Sequence, residues 1–308
     1  MKKEEALSSP LSKGVESRLD SRPLVIGDYT LSSLVVQEFY LDGGAMFGVV
    51  PKTLWEKVVP ADSMNRIKLL ARLLLISGNG RHILVDTGMG SAWSEKLSAI
   101  YALSPFTLSI ELQRFGLQMH DITDVIYTHL HYDHLAGAFE LQDGHLQPLF
   151  PDAMHHVQEE NYRYASHPHP KEKAGYLGRF VEAFGRQKNL NLLNGDTELF
   201  KGIRLSISNG HTKGQQLVTV FDDHLTLVHC ADLIPFAAHI PLAWVMSYDI
   251  EPLTVFDEKT DLLELAVKES WILFFGHDPN HEAATVRRDE KGIVADRYIA
   301  FRHADSPS

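Results

Sequence analysis

After Pro23 the chain runs in short apolar stretches broken by polar turns. "LVIGDYTL" and "SSLVVQEFYLD" read as strands joined by a short polar turn, and the glycine-rich loop "GGAMFGVVPK" follows. "NRIKLLARLLLISGNGRHILVDTGMG" holds two strand-like runs around Gly78-Asn79-Gly80, the residue types of a tight hairpin. In "SPFTLSIELQRFGLQMHDI", Leu108, Leu112 and Phe115 recur at helical spacing on one face. "DVIYTHL" is a short buried strand. "MHHVQEENYRYA" and "GYLGRFVEAFGRQ" predict surface helices; the proline-rich "SHPHPKEKA" separates them, so about 155–190 reads as a helical insert or cap. Strands return in "GIRLSISNGHTKGQQLVTVFDDHLTLVHCADLI", with turns at Asn209-Gly210 and Asp222-Asp223. "EKTDLLELAVKES" predicts an amphipathic helix and "WILFFGHDP" a buried strand with a polar end. This order predicts an α/β fold of two halves, with sheets facing each other and helices outside. The polar, Ser-rich residues 1–22 predict a flexible arm ahead of a single domain over 23–308.

Composition narrows the partners. With 308 residues, 44% of them hydrophobic, the chain can bury a large core. A net charge of −11 opposes a nucleic-acid-binding face or a polybasic membrane anchor, leaving a small-molecule substrate as the expected partner. The single cysteine, Cys230, rules out a disulfide within the chain and a Cys-rich zinc ribbon. That usage fits a reducing compartment, and with no apolar signal segment at the N-terminus and no bilayer-spanning run, cytoplasmic placement is expected.

One stretch stands out chemically. "THLHYDHLAG" crowds His129, His131, Asp133 and His134 into the turn between a strand and a helix start. With 17 histidines in 308 residues, three at these offsets plus the aspartate arise by chance in roughly a few chains per thousand. Four more positions share that context, a polar ligand type where a strand meets a turn: Asp86 in "ILVDTG", His211 in "NGHTKG", Asp232 in "LVHCADLI" and His277 in "LFFGHDP". A cap or turn former is the ordinary role for each alone. Imidazole and carboxylate together suit zinc, with iron, manganese or cobalt compatible with the same donors.

On these motifs the chain, from about Leu24 to Asp278, resembles the metallo-β-lactamase superfamily. The resemblance implies a four-layer αβ/βα sandwich of two mixed sheets. It implies one metal on His129, His131 and His211, a second on Asp133, His134 and His277, and Asp232 bridging them. Asp86 would support the first cluster from behind. Two divalent ions so held would share a hydroxide as nucleophile, with Asp133 and Asp232 as catalytic carboxylates. Cys230, two residues before Asp232, reads as a small buried strand residue. The carboxylate at the bridging place disfavours β-lactamase activity, and the acidic chain disfavours nuclease activity. N-acyl homoserine lactonases and their organophosphate-hydrolysing relatives are the nearest in look. Lactone opening is the leading expectation, and a thioesterase of glyoxalase II type, a phosphotriesterase and a non-catalytic metal-dependent sensor are the alternatives. Met46, Phe47, Phe236 and Trp244 would wall an acyl pocket or equally serve as core or homodimer contacts, and His239 and Tyr248 are candidates to orient a substrate oxygen or structural groups.

Overall fold

A computed structural model describes residues 24–301, so the N-terminal arm lies outside the described residues. The strands are β1 (Leu24–Ile26), β2 (Tyr29–Asp42), β3 (Arg66–Gly78), β4 (Arg81–Val85), β5 (Asp124–Ile126), β6 (Phe139–Gln142), β7 (His145–Pro148), β8 (Met154–Gln158) and β9 (Leu190–Leu193), followed by β10 (Thr197–Phe200), β11 (Ile203–Ser208), β12 (Gln215–Phe221), β13 (Thr226–His229), β14 (Ile272–Phe274), β15 (Ala283–Asp289) and β16 (Gly292–Ile299). They form one seven-stranded sheet in the order β1-β2-β3-β4-β5-β8-β9 and a second, also seven-stranded, from β10 to β16 in sequence order. Strands β4, β5, β8 and β9 pair in parallel, as do β13 and β14, and the remaining pairs of both sheets are antiparallel, so both are mixed.

The side-chain alternation of the strands builds the layers. Leu74, Ile76, Ile83, Val85 and Ile126 of the first sheet meet Leu205, Val218, Val220, Leu227 and Phe274 of the second in a core between the sheets. Their neighbours Leu73, Leu75, Leu84 and Val125 point the other way, into a core with Leu108, Leu112, Phe180 and Phe184 from helices. On the far side, Leu217, Val228 and Leu273 pack on Leu262, Leu263 and Ala266 of the helix Pro252–Glu269. The result is the expected sandwich of helices, two sheets and helices.

Two boundaries differ from the sequence expectation. "MHHVQ" is strand β8 and only Glu159–Ser166 is helical. Parallel pairing to β5 buries it, and its histidines find partners there: His155 bonds Tyr127 and the Phe150 carbonyl, His156 bonds Asp124. The insert therefore starts after Gln158. The late helix begins at Pro252 rather than Glu258, because proline at the first helical position has no amide needing a partner. The Gly78-Asn79-Gly80 hairpin forms as read, with Asn79 and Gly80 at positive φ.

Candidate metal centre

The ligand-type residues follow strand C-terminal ends. Asp86 comes directly after β4, the cluster from His129 after β5, His211 after β11, Asp232 after β13 and His277 after β14. The glycine of the first motif is a packing requirement, since a Cβ on Gly137 would overlap the Thr87 carbonyl oxygen. Asp86 adopts φ 61°, which turns its carboxylate back over the cluster. It accepts from the Thr128 amide at 2.7 Å, the Thr128 hydroxyl at 2.9 Å and His134 Nδ1 at 2.8 Å.

Every imidazole of the cluster has one outer nitrogen engaged. His131 Nε2 lies 2.8 Å from Glu172, His211 Nδ1 2.9 Å from Asp249, and His277 Nδ1 2.9 Å from the Leu70 carbonyl. His129 Nδ1 lies 3.0 Å from the Thr128 hydroxyl, whose own hydrogen goes to Asp86. Carboxylates and carbonyls only accept, so each outer nitrogen carries a hydrogen and the inner nitrogen is the atom left facing the centre of the cluster. The inner atoms converge in two groups: His129, His131, His211 and Asp232, and Asp133, His134, Asp232 and His277. Asp232 belongs to both.

The donor set fits divalent cations. Burial holds His129 well below the usual histidine range, with His134 and His131 adding to the effect. Burial likewise lowers His131, against the pull of Glu172. Both rings are thus neutral, yet His129 Nε2 and His131 Nδ1 lie 2.9 Å apart with no hydrogen to share. Such a contact between lone pairs is repulsive unless a cation sits beside both. Donors about 2.0–2.2 Å from a tetrahedral zinc are themselves roughly 3.4 Å apart. Asp232 Oδ1 is buried with the inner nitrogens of His277 at 3.1 Å and His134 at 3.5 Å as its neighbours, so donor atoms of three side chains face one point. On His134, burial opposes the charge, but Asp86, Asp232 and Asp133 outweigh it and hold the imidazole well above its usual range. A metal entering there displaces that proton.

The cluster opens into a cleft of about 250 Å³. Leu41, Met46, Leu69 and Met246 give it apolar walls, Tyr101 and Tyr132 an aromatic one, and Lys171, Glu172 and Tyr248 also line it. Of the residues singled out in the sequence as candidate substrate contacts, Met46 and Tyr248 reach this cleft. His239 does not: it is buried, its Nε2 bonds the Met46 carbonyl at 2.8 Å, and its ring stacks on Phe47 at 4.7 Å between centroids. Phe47 and Phe236 are fully buried behind the wall, and Trp244 lines a separate groove with Val58, Ile240 and Tyr298. Of the two roles open to these positions the core role fits their packing, because the 236–244 loop turns its rings inward onto Phe47. Cys230 is buried with its thiol toward the Val228 carbonyl and belongs to neither ligand group.

Sequence reading missed Glu172, Asp249 and Lys171, and the cleft residues Tyr101 and Tyr132. Tyr132 was legible, since it stands inside the first motif. Glu172 was not, because "KEK" in a proline-rich stretch has the look of solvated charge.

Comparison with known proteins agrees with this geometry. The metallo-beta-lactamase superfamily model matches residues 73–277. A probable metallo-hydrolase of Mycobacterium tuberculosis is 25% identical over 211 residues, 61% of this chain and 66% of its own length. An N-acyl homoserine lactonase of Bacillus thuringiensis is 26% identical over 182 residues, 56% of this chain and 62% of its own length. The chain thus spans less than two thirds of the length of these curated relatives. A probable metal-dependent hydrolase from Staphylococcus aureus superposes with TM-score 0.82 at 30% identity, over 92% of this chain and 100% of that one. A dizinc quorum-quenching lactonase in complex with the product N-hexanoyl-L-homoserine superposes with TM-score 0.72, over 88% of this chain and 95% of that one, and at 19% identity it shares the fold. With the ligand-bearing strand ends matched along most of its length, the chain belongs to the metallo-beta-lactamase superfamily.

Proposed function

We propose that this protein is a two-metal hydrolase of lactones or closely related esters. The observation that carries the reading is the pair of His/Asp groups sharing Asp232 at the floor of a cleft with apolar and tyrosine walls. His129, His131 and His211 would hold one ion, Asp133, His134 and His277 the other, and Asp232 both. Zinc is the expected metal. Bound there, such a pair supplies Lewis-acid stabilisation for a carbonyl oxygen and water of lowered pKa. The chain's own groups do the rest. Leu41, Met46, Leu69 and Met246 take the apolar part of the substrate and exclude water. The Tyr248 phenol lines the cleft, and burial together with Asp42 and Asp133 pushes it up to about 12, so its hydroxyl would be available as a donor to a substrate oxygen. Asp133 and Asp232 would serve as carboxylate ligands within the cluster.

One feature weighs against the glyoxalase II reading. Arg287 and Arg288 of β15 pair with Asp296 of β16 and with Glu264 of the helix Pro252–Glu269, and neither lines the cleft, so they form no anion-binding segment over it. The test is a panel on zinc-loaded protein: γ-lactones with short and long N-acyl chains, S-lactoylglutathione and a paraoxon-like triester. The highest kcat/KM is expected for lactones, rising with chain length by at most about 0.8 kcal/mol per buried CH₂. A thioester or triester preferred a hundredfold over every lactone would overturn it.

A further inference from the structure

The two ligand groups are braced by different parts of the molecule. In the second group, His134 leans on Asp86 at the end of β4 and His277 on the Leu70 carbonyl within β3, the long strand whose register with β2 runs from Ser77 to Arg66. In the first group only His129 reaches that scaffold, through Thr128. His131 leans on Glu172, which belongs to the insert between the helices Glu159–Ser166 and Gly178–Gly185. His211 leans on Asp249, in the loop before the helix Pro252–Glu269.

A single exposed side chain joins those two braces. Lys171, the neighbour of Glu172, donates to the carbonyls of Ser247 at 2.9 Å, Tyr248 at 3.4 Å and Asp249 at 2.7 Å. Three ammonium hydrogens thereby meet three carbonyls. The insert also grips both motif turns: buried Asn161 accepts from the Leu130 amide at 2.9 Å and donates to the Lys213 carbonyl at 2.7 Å. Gly175 lets the insert backbone close on His131, whose ring a Cβ there would meet at 2.8 Å. Buried bonds of Asn161 and Tyr176 tie the insert to the motif turns, whereas its tie to the 247–249 loop runs through the exposed Lys171. Contacts through solvent-facing groups open at lower free energy than paired central strands. A histidine whose brace depends on such a contact is therefore held less firmly than one positioned by a strand.

We infer that Lys171 and Glu172 are positioning residues for one metal group only, so that the His129/His131/His211 ion is the weaker of the two and its retention is set by closure of the insert onto the 247–249 loop. The inference rests on the two-ion reading but not on any substrate. Outer partners of metal-ligating histidines typically change affinity by about 10–100-fold.

The experiment counts zinc per chain by elemental analysis after equilibration against graded concentrations of a chelator, with no substrate present. Wild-type protein should hold two zinc ions and release them in two steps. In Glu172→Ala and in Lys171→Met the first step should move to about 10–100-fold lower chelator while the second stays in place. Glu172→Gln, whose carbonyl still accepts from His131 Nε2, should recover part of the shift, and Lys171→Arg likewise; a merely structural loss would not be rescued this way. Combining Glu172→Ala with Asp133→Ala, which removes a ligand of the other group, should leave no tightly held zinc. Equal weakening of both ions, or no change in the exposed-site variant Lys171→Met, would overturn the inference while leaving the two-ion reading intact. A wild-type protein that holds no zinc would overturn both.

Discussion

Replacing Asp86 by asparagine exchanges one carboxylate oxygen for an NH₂ group and should strip the cluster of its proton order. Asp86 accepts three hydrogen bonds, from the Thr128 amide, the Thr128 hydroxyl and His134 Nδ1. Asparagine keeps one carbonyl for the Thr128 amide and tolerates the left-handed φ of 61°. Its amide nitrogen, however, donates where the carboxylate accepted. His134 is then driven to the tautomer with the hydrogen on Nε2, the atom aimed at the metal. If Thr128 rotates to accept from the new amide, its hydroxyl hydrogen turns to His129 Nδ1 and inverts that ring as well. Two hydrogen bonds to a charged acceptor are lost, at about 1.5–3 kcal/mol each, so the metal-free fold should weaken by up to about 3–6 kcal/mol, less whatever the Thr128 rotation recovers. Zinc affinity should fall at least about 10–100-fold, or about 1.4–2.7 kcal/mol. Asp86→Ala separates the two effects. Alanine suffers about 1–2 kcal/mol more strain at positive φ but opposes no hydrogen. The asparagine variant should therefore be the more stable protein and the weaker zinc binder, read by thermal unfolding of the metal-free proteins and by chelator competition. Wild-type zinc affinity in Asp86→Asn, or tighter binding than in Asp86→Ala, would refute the tautomer argument.

Two further outcomes are expected. Gly175→Ala places a Cβ about 2.8 Å from His131 Cδ2, so it should lower zinc retention at the same group as Glu172→Ala, and unchanged chelator titration would show that the insert can yield there. His155 should shape the acid limb of stability. Burial lowers its pKa to about 4, against an ordinary value of 6.5, although the Phe150 carbonyl favours the charged form. Below about 4 both folded and unfolded chains bind the proton and above 6.5 neither does; between them only the unfolded chain binds it, so stability falls as pH drops from 6.5 toward 4. The loss is on the order of 3 kcal/mol, and His155→Gln should flatten that part of a denaturant-midpoint profile against pH; an unchanged slope would remove His155 from the account.

Much of this protein could be read before its structure. Near-continuous apolar runs such as "RIKLLARLLLISG" specify strands buried on both faces, and side-chain alternation along the strand assigns Leu74 and Ile76 to one core and Leu73 and Leu75 to another. The ligand types declare themselves because donor chemistry is local: a histidine or aspartate at a strand end has that character in any fold. What the chain could not show is which distant groups meet them. "MHHVQ" reads as helix until parallel pairing with β5 makes it a strand. His239 and Trp244 read equally as substrate contacts or structural groups until the loop carrying them folds inward. Glu172 and Asp249 lie 41 and 38 residues from the histidines they orient. Nothing local distinguishes them from surface acids, since the roles of both depend on long-range packing of the insert and the 246–249 loop against the strand ends, and hydrogen-bond partnership across such distances is a property of the tertiary fold alone.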